Sequence, residues 1–157
     1  MRLDLLSQYE IPYLHPLAVH FPLVLLLLGA GAAVVYAAFG RAVWRQASLV
    51  LFALGALGAF AAGQTGEAME HDVEGTPVVD AFLDTHEETA GYTLWAAVLA
   101  AAAYGGLTLR ARRYPDRAER EPVWGRVGAL VPALAAALLV AYTAHLGGVM
   151  VWGVPAG

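Results

Sequence analysis

The chain has 157 residues, enough for one domain, and 59% of them are apolar whereas only 14% are charged. This balance is unusual for a soluble domain and typical of a protein embedded in a lipid bilayer. The absence of cysteine excludes thiolate metal sites, disulfides and covalently attached c-type haem. A net charge of −4 without a basic aromatic patch gives no support to nucleic-acid binding.

Four apolar runs are long enough to cross the hydrocarbon core of a bilayer, which takes about 20 helical residues. The runs extend from Leu17 to Phe39, from Ala47 to Gly66, from Thr89 to Leu109 and from Val127 to His145. The first run is too long and its flank too acidic for a cleaved signal peptide, so we expect it to remain as a span. The sequence therefore predicts an all-α integral membrane protein, a single four-helix bundle domain over 1–157 in up-down-up-down order.

Basic residues are concentrated in two of the connections. The segments after the first and third spans carry eight of the nine Arg and three acids, a net charge of +5, whereas the other polar segments carry one Arg and ten acids. Positively charged loops stay in the cytoplasm. The sequence therefore predicts a multi-pass protein of the bacterial cytoplasmic membrane with both termini on the periplasmic side.

The segment from Glu67 to Glu88 is the long connection on the outer side. Within it, Gly75-Thr76-Pro77 predicts a turn, and Val78 to Leu83 predicts a short amphipathic helix on the membrane surface.

All five histidines fall near the outer ends of the predicted spans. His15 and His20 lie at the start of the first, His71 just beyond the second, His86 at the start of the third and His145 at the end of the fourth. Ionisable side chains at such depths usually face the bundle interior and mark functional sites. The sequence therefore predicts a layer of imidazoles at one end of the bundle.

Each histidine also has a simpler interpretation. His15 could simply be the first residue of the helix, before Pro16. His86 could be a solvent-exposed residue in the first turn of a helix, beside Glu87. His20 and His145 could hydrogen-bond a neighbouring helix. Because His15 and His20 are five residues apart, about 140° around a helix, they cannot both reach one ligand.

Imidazoles from different helices, with glycines nearby and no cysteine, indicate b-type haem held by two axial histidines. We expect one or two haems, with His20 and His145 as the first candidate pair and His15 and His86 as the second.

Two other functions fit the same residues. One is a site for a Zn, Cu or Fe ion, formed by the histidines with Glu67, Glu70 or Glu87 and with His71 as a weak accessory ligand. The other is a structural subunit of a respiratory or photosynthetic complex. Enzymatic chemistry has little support, because no nucleophile, base and orienting acid occur at a recognisable spacing.

The run His15-Pro16-Leu17-Ala18-Val19-His20-Phe21-Pro22, with Gly63 to Gly66 closing the second span, His86-Glu87 and Ala144-His145-Leu146-Gly147-Gly148, resembles an uncharacterised bacterial family. The family consists of four-helix predicted membrane domains of unknown function, which resemble distant relatives of the di-haem membrane cytochromes b. The resemblance covers nearly the whole chain and singles out His15, His20, His86 and His145.

The resemblance implies electron transfer at the outer face, with a periplasmic electron carrier or a larger redox complex as partner. Some members of the family look to be joined to c-type cytochrome domains. This chain departs from the di-haem cytochromes b because no histidine lies near the inner face. A pair of haems stacked across the bilayer therefore cannot be built from this chain.

Overall fold

A computed structural model of the protein describes residues 14–73, 75–115 and 122–153. Over these ranges it contains the helices α1 (His15–Ala18), α2 (His20–Phe39), α3 (Ala42–Val73), α4 (Pro77–Arg113) and α5 (Val123–Trp152). Val19 alone separates α1 from α2, and together they form the first span. Four helical stretches are long and apolar enough to cross a membrane, which confirms the predicted all-α four-helix class.

The four spans form a closed ring of neighbours. α2 packs against α3 and α5, and α4 packs against the same two helices. The first span and α4 are therefore diagonal partners across the bundle axis. Neighbouring spans run in opposite directions. His15, at the start of the first span, contacts Gly66 near the end of α3. Gly40, just after the end of the first span, contacts Arg126 at the start of α5.

The outer connection between the second and third spans differs from the prediction. α3 has 32 residues and α4 has 37, about 48 and 56 Å at 1.5 Å per residue, so both extend past a core of about 30 Å. The predicted long loop from Glu67 to Glu88 was wrong, because its first part belongs to α3 and its last part to α4. The separate surface helix over Val78 to Leu83 was wrong too, because these residues lie within α4. Pro77 suits the first turn of a helix, and no Gly or Pro follows it before Gly91.

A tight turn joins the two long helices. Gly75 has a positive φ of 86°, and its N–H donates to Asp80 Oδ1 at 3.1 Å. The Asp80 N–H donates to the carbonyl of Thr76 at 2.9 Å. These bonds fix the start of α4 directly after the turn.

Alanines make up much of the bundle interior beside a few large side chains such as Tyr36, Phe52 and Tyr104, whereas many large apolar residues face outward. Alanines fill the contact between α4 and α5, among them Ala97, Ala100, Ala133 and Ala136. Leu57 and Leu138 are 67% and 72% exposed on the outer surface. Membrane helices associate through close packing rather than through the hydrophobic effect, and this distribution suits lipid as the surrounding solvent.

Gly55 allows the closest approach between the first two spans. A Cβ at this position would lie 2.5 Å from Cδ2 of Leu26, a side chain that is completely buried. The Gly55→Ala variant should therefore lose about 1–3 kcal/mol of stability, as overpacked cores do. Gly31→Ala is the matched control, because its Cβ would meet nothing within 4 Å.

Thermal unfolding of the two variants in detergent measures this difference. Adding Leu26→Ala to Gly55→Ala should recover part of the loss, since contacting residues give non-additive effects. Equal midpoints for Gly55→Ala and Gly31→Ala would contradict the described packing.

Candidate functional site

His15 lies at the first residue of α1 and points toward α3. Its Nδ1 is 3.0 Å from the carbonyl oxygen of Ala62 and 3.1 Å from Oγ1 of Thr65. Its ring rests on Gly66, where a Cβ would come within 3.0 Å of the imidazole Cε1. The absence of a side chain at Gly66 therefore makes room for the His15 ring.

The contact with Ala62 fixes the tautomer of His15. A carbonyl oxygen can only accept a hydrogen bond, so Nδ1 must carry the proton and donate it. The Nε2 atom of the neutral ring then keeps its lone pair. A backbone carbonyl that holds the second ring nitrogen is the usual support of a metal-ligating histidine.

His86 lies on α4, diagonally across the bundle from His15, and is half-buried. Its ring packs against α5, with Cε1 at 3.4 Å from the position of a Cβ on Gly147. The ring interacts with the backbone carbonyl of Thr143, whereas Nδ1 is buried without a hydrogen-bond partner among the described residues. A buried nitrogen in this state is costly unless a ligand or water satisfies it.

His15 and His86 form the interior pair of the protein. The two rings lie within electrostatic range of each other. Both project from diagonal helices, and each rests on a glycine of a neighbouring helix. The hydrogen bond to Ala62 leaves the lone pair on Nε2 of His15, whereas the Nδ1 edge of His86 packs on α5 beside Gly147.

His20 and His145 lie elsewhere. Both side chains are exposed, so the expectation that they face the interior was wrong. The His20 Nδ1–H donates to the carbonyl of Pro16 at 2.6 Å, one turn earlier in the chain. The rotation of about 140° between His15 and His20 explains why one is inside and the other outside.

The accessory carboxylates lie near one another at the outer ends of α3 and α4. Glu67, Glu70 and Asp84 are within electrostatic range of Glu87, and the side chain of His71 lies outside the described part of the structure. Within residues 14–73, 75–115 and 122–153, no three His, Asp or Glu side chains come together as ligands of a metal ion.

Sequence analysis did not identify the groups that hold the two imidazoles. Thr65, Gly66 and Gly147 determine where the rings lie, together with the Ala62 carbonyl. The one available signal was the adjacent pair Thr65-Gly66, a hydroxyl beside a residue without a side chain. It could not be interpreted without knowing which helix faces it.

The fold and the site define a four-helix integral membrane protein with two interior histidines at one end of the bundle. The chain belongs to the family described as "Predicted membrane protein (DUF2231)", whose family model matches residues 11–157. This match confirms the family resemblance, and the relation to the cytochromes b remains a prediction. No curated protein and no solved structure matches the chain.

Gly66→Ala should displace the imidazole of His15, because the new methyl group would overlap its Cε1. Nitrogen-15 NMR of histidine-labelled protein measures this, with His15→Gln identifying the His15 signals. We expect these signals to shift in Gly66→Ala and to stay unchanged in Gly63→Ala, whose Cβ would contact nothing within 4 Å. Unchanged His15 signals in both variants would show that the ring does not rest on Gly66.

Proposed function

We propose that this protein is a membrane-anchored b-type haem-binding electron-transfer protein, with His15 and His86 as the axial ligands of one haem. The observation that carries the proposal is that two half-buried imidazoles project from diagonal helices at the same end of the bundle, one of them held by a backbone carbonyl. Bis-histidine haem is a recurrent arrangement for electron transfer. When bound, the haem iron supplies one-electron oxidation and reduction.

The number of protein ligands favours haem over a bare metal ion. A porphyrin provides four nitrogens, so the protein needs to add only two. Zinc sites usually take three or four protein ligands, and the described residues bring no such group together. The exposed positions of His20 and His145 further support one haem rather than two.

The protein's own contribution is to hold and orient the imidazoles. The Ala62 carbonyl accepts the Nδ1–H of His15 and so keeps Nε2 available. Thr65 lies against the same nitrogen. Gly66 and Gly147 let the rings approach the backbone of α3 and α5, so both ligands are held by rigid helices.

Electrostatics at the outer end favour a basic partner. Glu67, Glu87 and Asp84 are exposed on the ends of α3 and α4, beyond the predicted spans. Acidic side chains attract a positively charged protein and raise its rate of association at low salt. We assign this role to a periplasmic electron carrier, with the bundle in the bacterial inner membrane and both termini outside.

Variants of the four histidines test the haem assignment. Protein purified from haem-replete cells should show a Soret band and a pyridine haemochrome corresponding to one haem b per chain. His15→Ala and His86→Ala should each lose most of this haem because one axial ligand is missing. His20→Ala and His145→Ala are the matched controls and should retain it.

Other results separate the rival functions. Colourless protein with stoichiometric Zn, Cu or Fe would replace the haem assignment with a metal-ion site. Wild-type protein with neither cofactor would leave the structural-subunit function. Haem that is lost only in His20→Ala and His145→Ala would overturn the choice of ligands.

The absence of cysteine allows a clean test of orientation. Thr76→Cys and Ala42→Cys introduce single exposed thiols at opposite ends of the bundle. A membrane-impermeant maleimide added to cells with a permeabilised outer membrane should label Thr76→Cys and spare Ala42→Cys, since Arg-rich connections stay in the cytoplasm. The reverse pattern would contradict the proposed orientation.

A further inference from the structure

The end of the bundle opposite the histidine pair contains buried polar side chains without partners. Five buried side-chain nitrogen or oxygen atoms among the described residues lack a hydrogen bond, and only one belongs to the histidine pair. The other four belong to one residue from each span: Tyr36, Arg45, Tyr104 and Arg126. We call these four residues the inner polar cluster.

Arg45 is the most unusual member of this cluster. It is 6% exposed, and its Nε has no hydrogen-bond partner. Its guanidinium carbon lies 6.0 Å from the centroid of the Tyr36 ring, the outer limit of a cation–π contact. A buried guanidinium normally has a carboxylate or another acceptor, because removing its charge from water is costly.

Arg126 lies close to the residue that follows the last turn of α2. A Cβ added to Gly40 would lie 2.6 Å from Nη1 of Arg126. Gly40 itself has a positive φ of 67°. Tyr36 and Gly40 are joined by a backbone hydrogen bond of 2.8 Å, one helical turn apart. Both guanidinium groups therefore lie close to the last turn of α2.

The helix termini at this end do not neutralise the two arginines. The positive amino ends of α3 and α5 and the negative carboxyl ends of α2 and α4 meet here, so their dipoles roughly cancel. Neither α3 nor α5 has an acidic residue in its first turn. Each has an arginine there instead, which adds positive charge to the positive end of the helix.

We infer that the inner polar cluster binds an oxyanion of phosphate type. The guanidinium groups of Arg45 and Arg126 supply charge and N–H donors, and the buried hydroxyl of Tyr36 supplies an O–H donor. Arginine matches phosphate geometry through paired hydrogen bonds. An anion here would satisfy the unpartnered donors and balance the buried charge of Arg45 and the half-buried charge of Arg126.

The same chemistry can come from two sources. One is the phosphate of an anionic phospholipid in the adjacent leaflet, and the other is free inorganic phosphate. A lipid headgroup would enter from the side of the bundle with its acyl chains along the apolar surface. Free phosphate would bind equally well in detergent without lipid.

Binding to the full-length protein after delipidation in neutral detergent tests the inference. Inorganic phosphate is titrated by calorimetry at constant ionic strength, and phosphatidylglycerol is compared with phosphatidylcholine by native mass spectrometry. We expect saturable binding in at least one arm and about tenfold or more weakening in Arg45→Gln, because a charge-assisted hydrogen bond is lost. Arg41→Gln removes the same charge from an exposed site at the same end and should bind like wild type.

Each outcome of the binding experiment either supports or overturns the proposed anion site. Saturable phosphate binding identifies the free ion, and phosphatidylglycerol retained without phosphate binding identifies the lipid; both support the site if Arg45→Gln is defective. No saturable binding in either arm would overturn it and leave the arginines as neutralisers of the α2 carboxyl end. Equal weakening in Arg41→Gln would also overturn it, since the attraction would then be diffuse.

Two milder variants keep the test decisive if Arg45→Gln does not fold. Arg45→Lys preserves the charge but loses the paired donors, and Tyr36→Phe removes only the hydroxyl. Both should fold and bind more weakly than wild type. Undiminished binding in both variants would contradict the proposed site.

Discussion

The lipid surrounding the bundle is the constraint on which the rest of the structure depends. Because hydrocarbon offers no hydrogen bonds, the backbone must satisfy itself within helices, and helices must associate by close packing. Small residues therefore occupy much of the interior, and the absence of a side chain at Gly55 makes room for the buried side chain of Leu26. The same close approach places Gly66 and Gly147 under imidazole rings. Close helix packing at glycines thus provides the positions at which functional side chains can be held.

The two ends of the bundle place polar side chains in the interior in different ways. At the outer end, His15 is held by a carbonyl and a hydroxyl of α3, and His86 keeps one unpartnered nitrogen. At the inner end, Arg45 and Arg126 carry permanent charge without an acidic partner among the described residues. A neutral ring can remain buried at moderate cost, whereas a guanidinium requires a counter-charge. The two ends of the bundle therefore differ in the electrostatic cost of their interior polar groups.

Hydropathy was sufficient to identify the four spans, because their length and composition are set by the bilayer. It also gave the position of each histidine along its helix, and so across the membrane, since this position follows from the rise of 1.5 Å per residue. It could not decide the rotation of each helix, which depends on the packing of its neighbours. His15 and His20 therefore looked alike in the sequence, and only the structure separates an interior ring from an exposed one. Arg45 was missed for a related reason: a charge count treats a buried arginine and an exposed one identically.

The charge distribution links the two ends of the bundle. Arg45 and Arg126 lie inside the end that also carries the other inner arginines, whereas the opposite end is rich in acids. Moving either set through the hydrocarbon would be costly, so the two sets of charges hold the two ends of the bundle at opposite surfaces of the membrane. From His15 to Tyr36 the chain rises through about 21 residues, or roughly 31 Å, which is about the thickness of the core. Anchoring the arginines at one interface therefore places the histidine pair at the other.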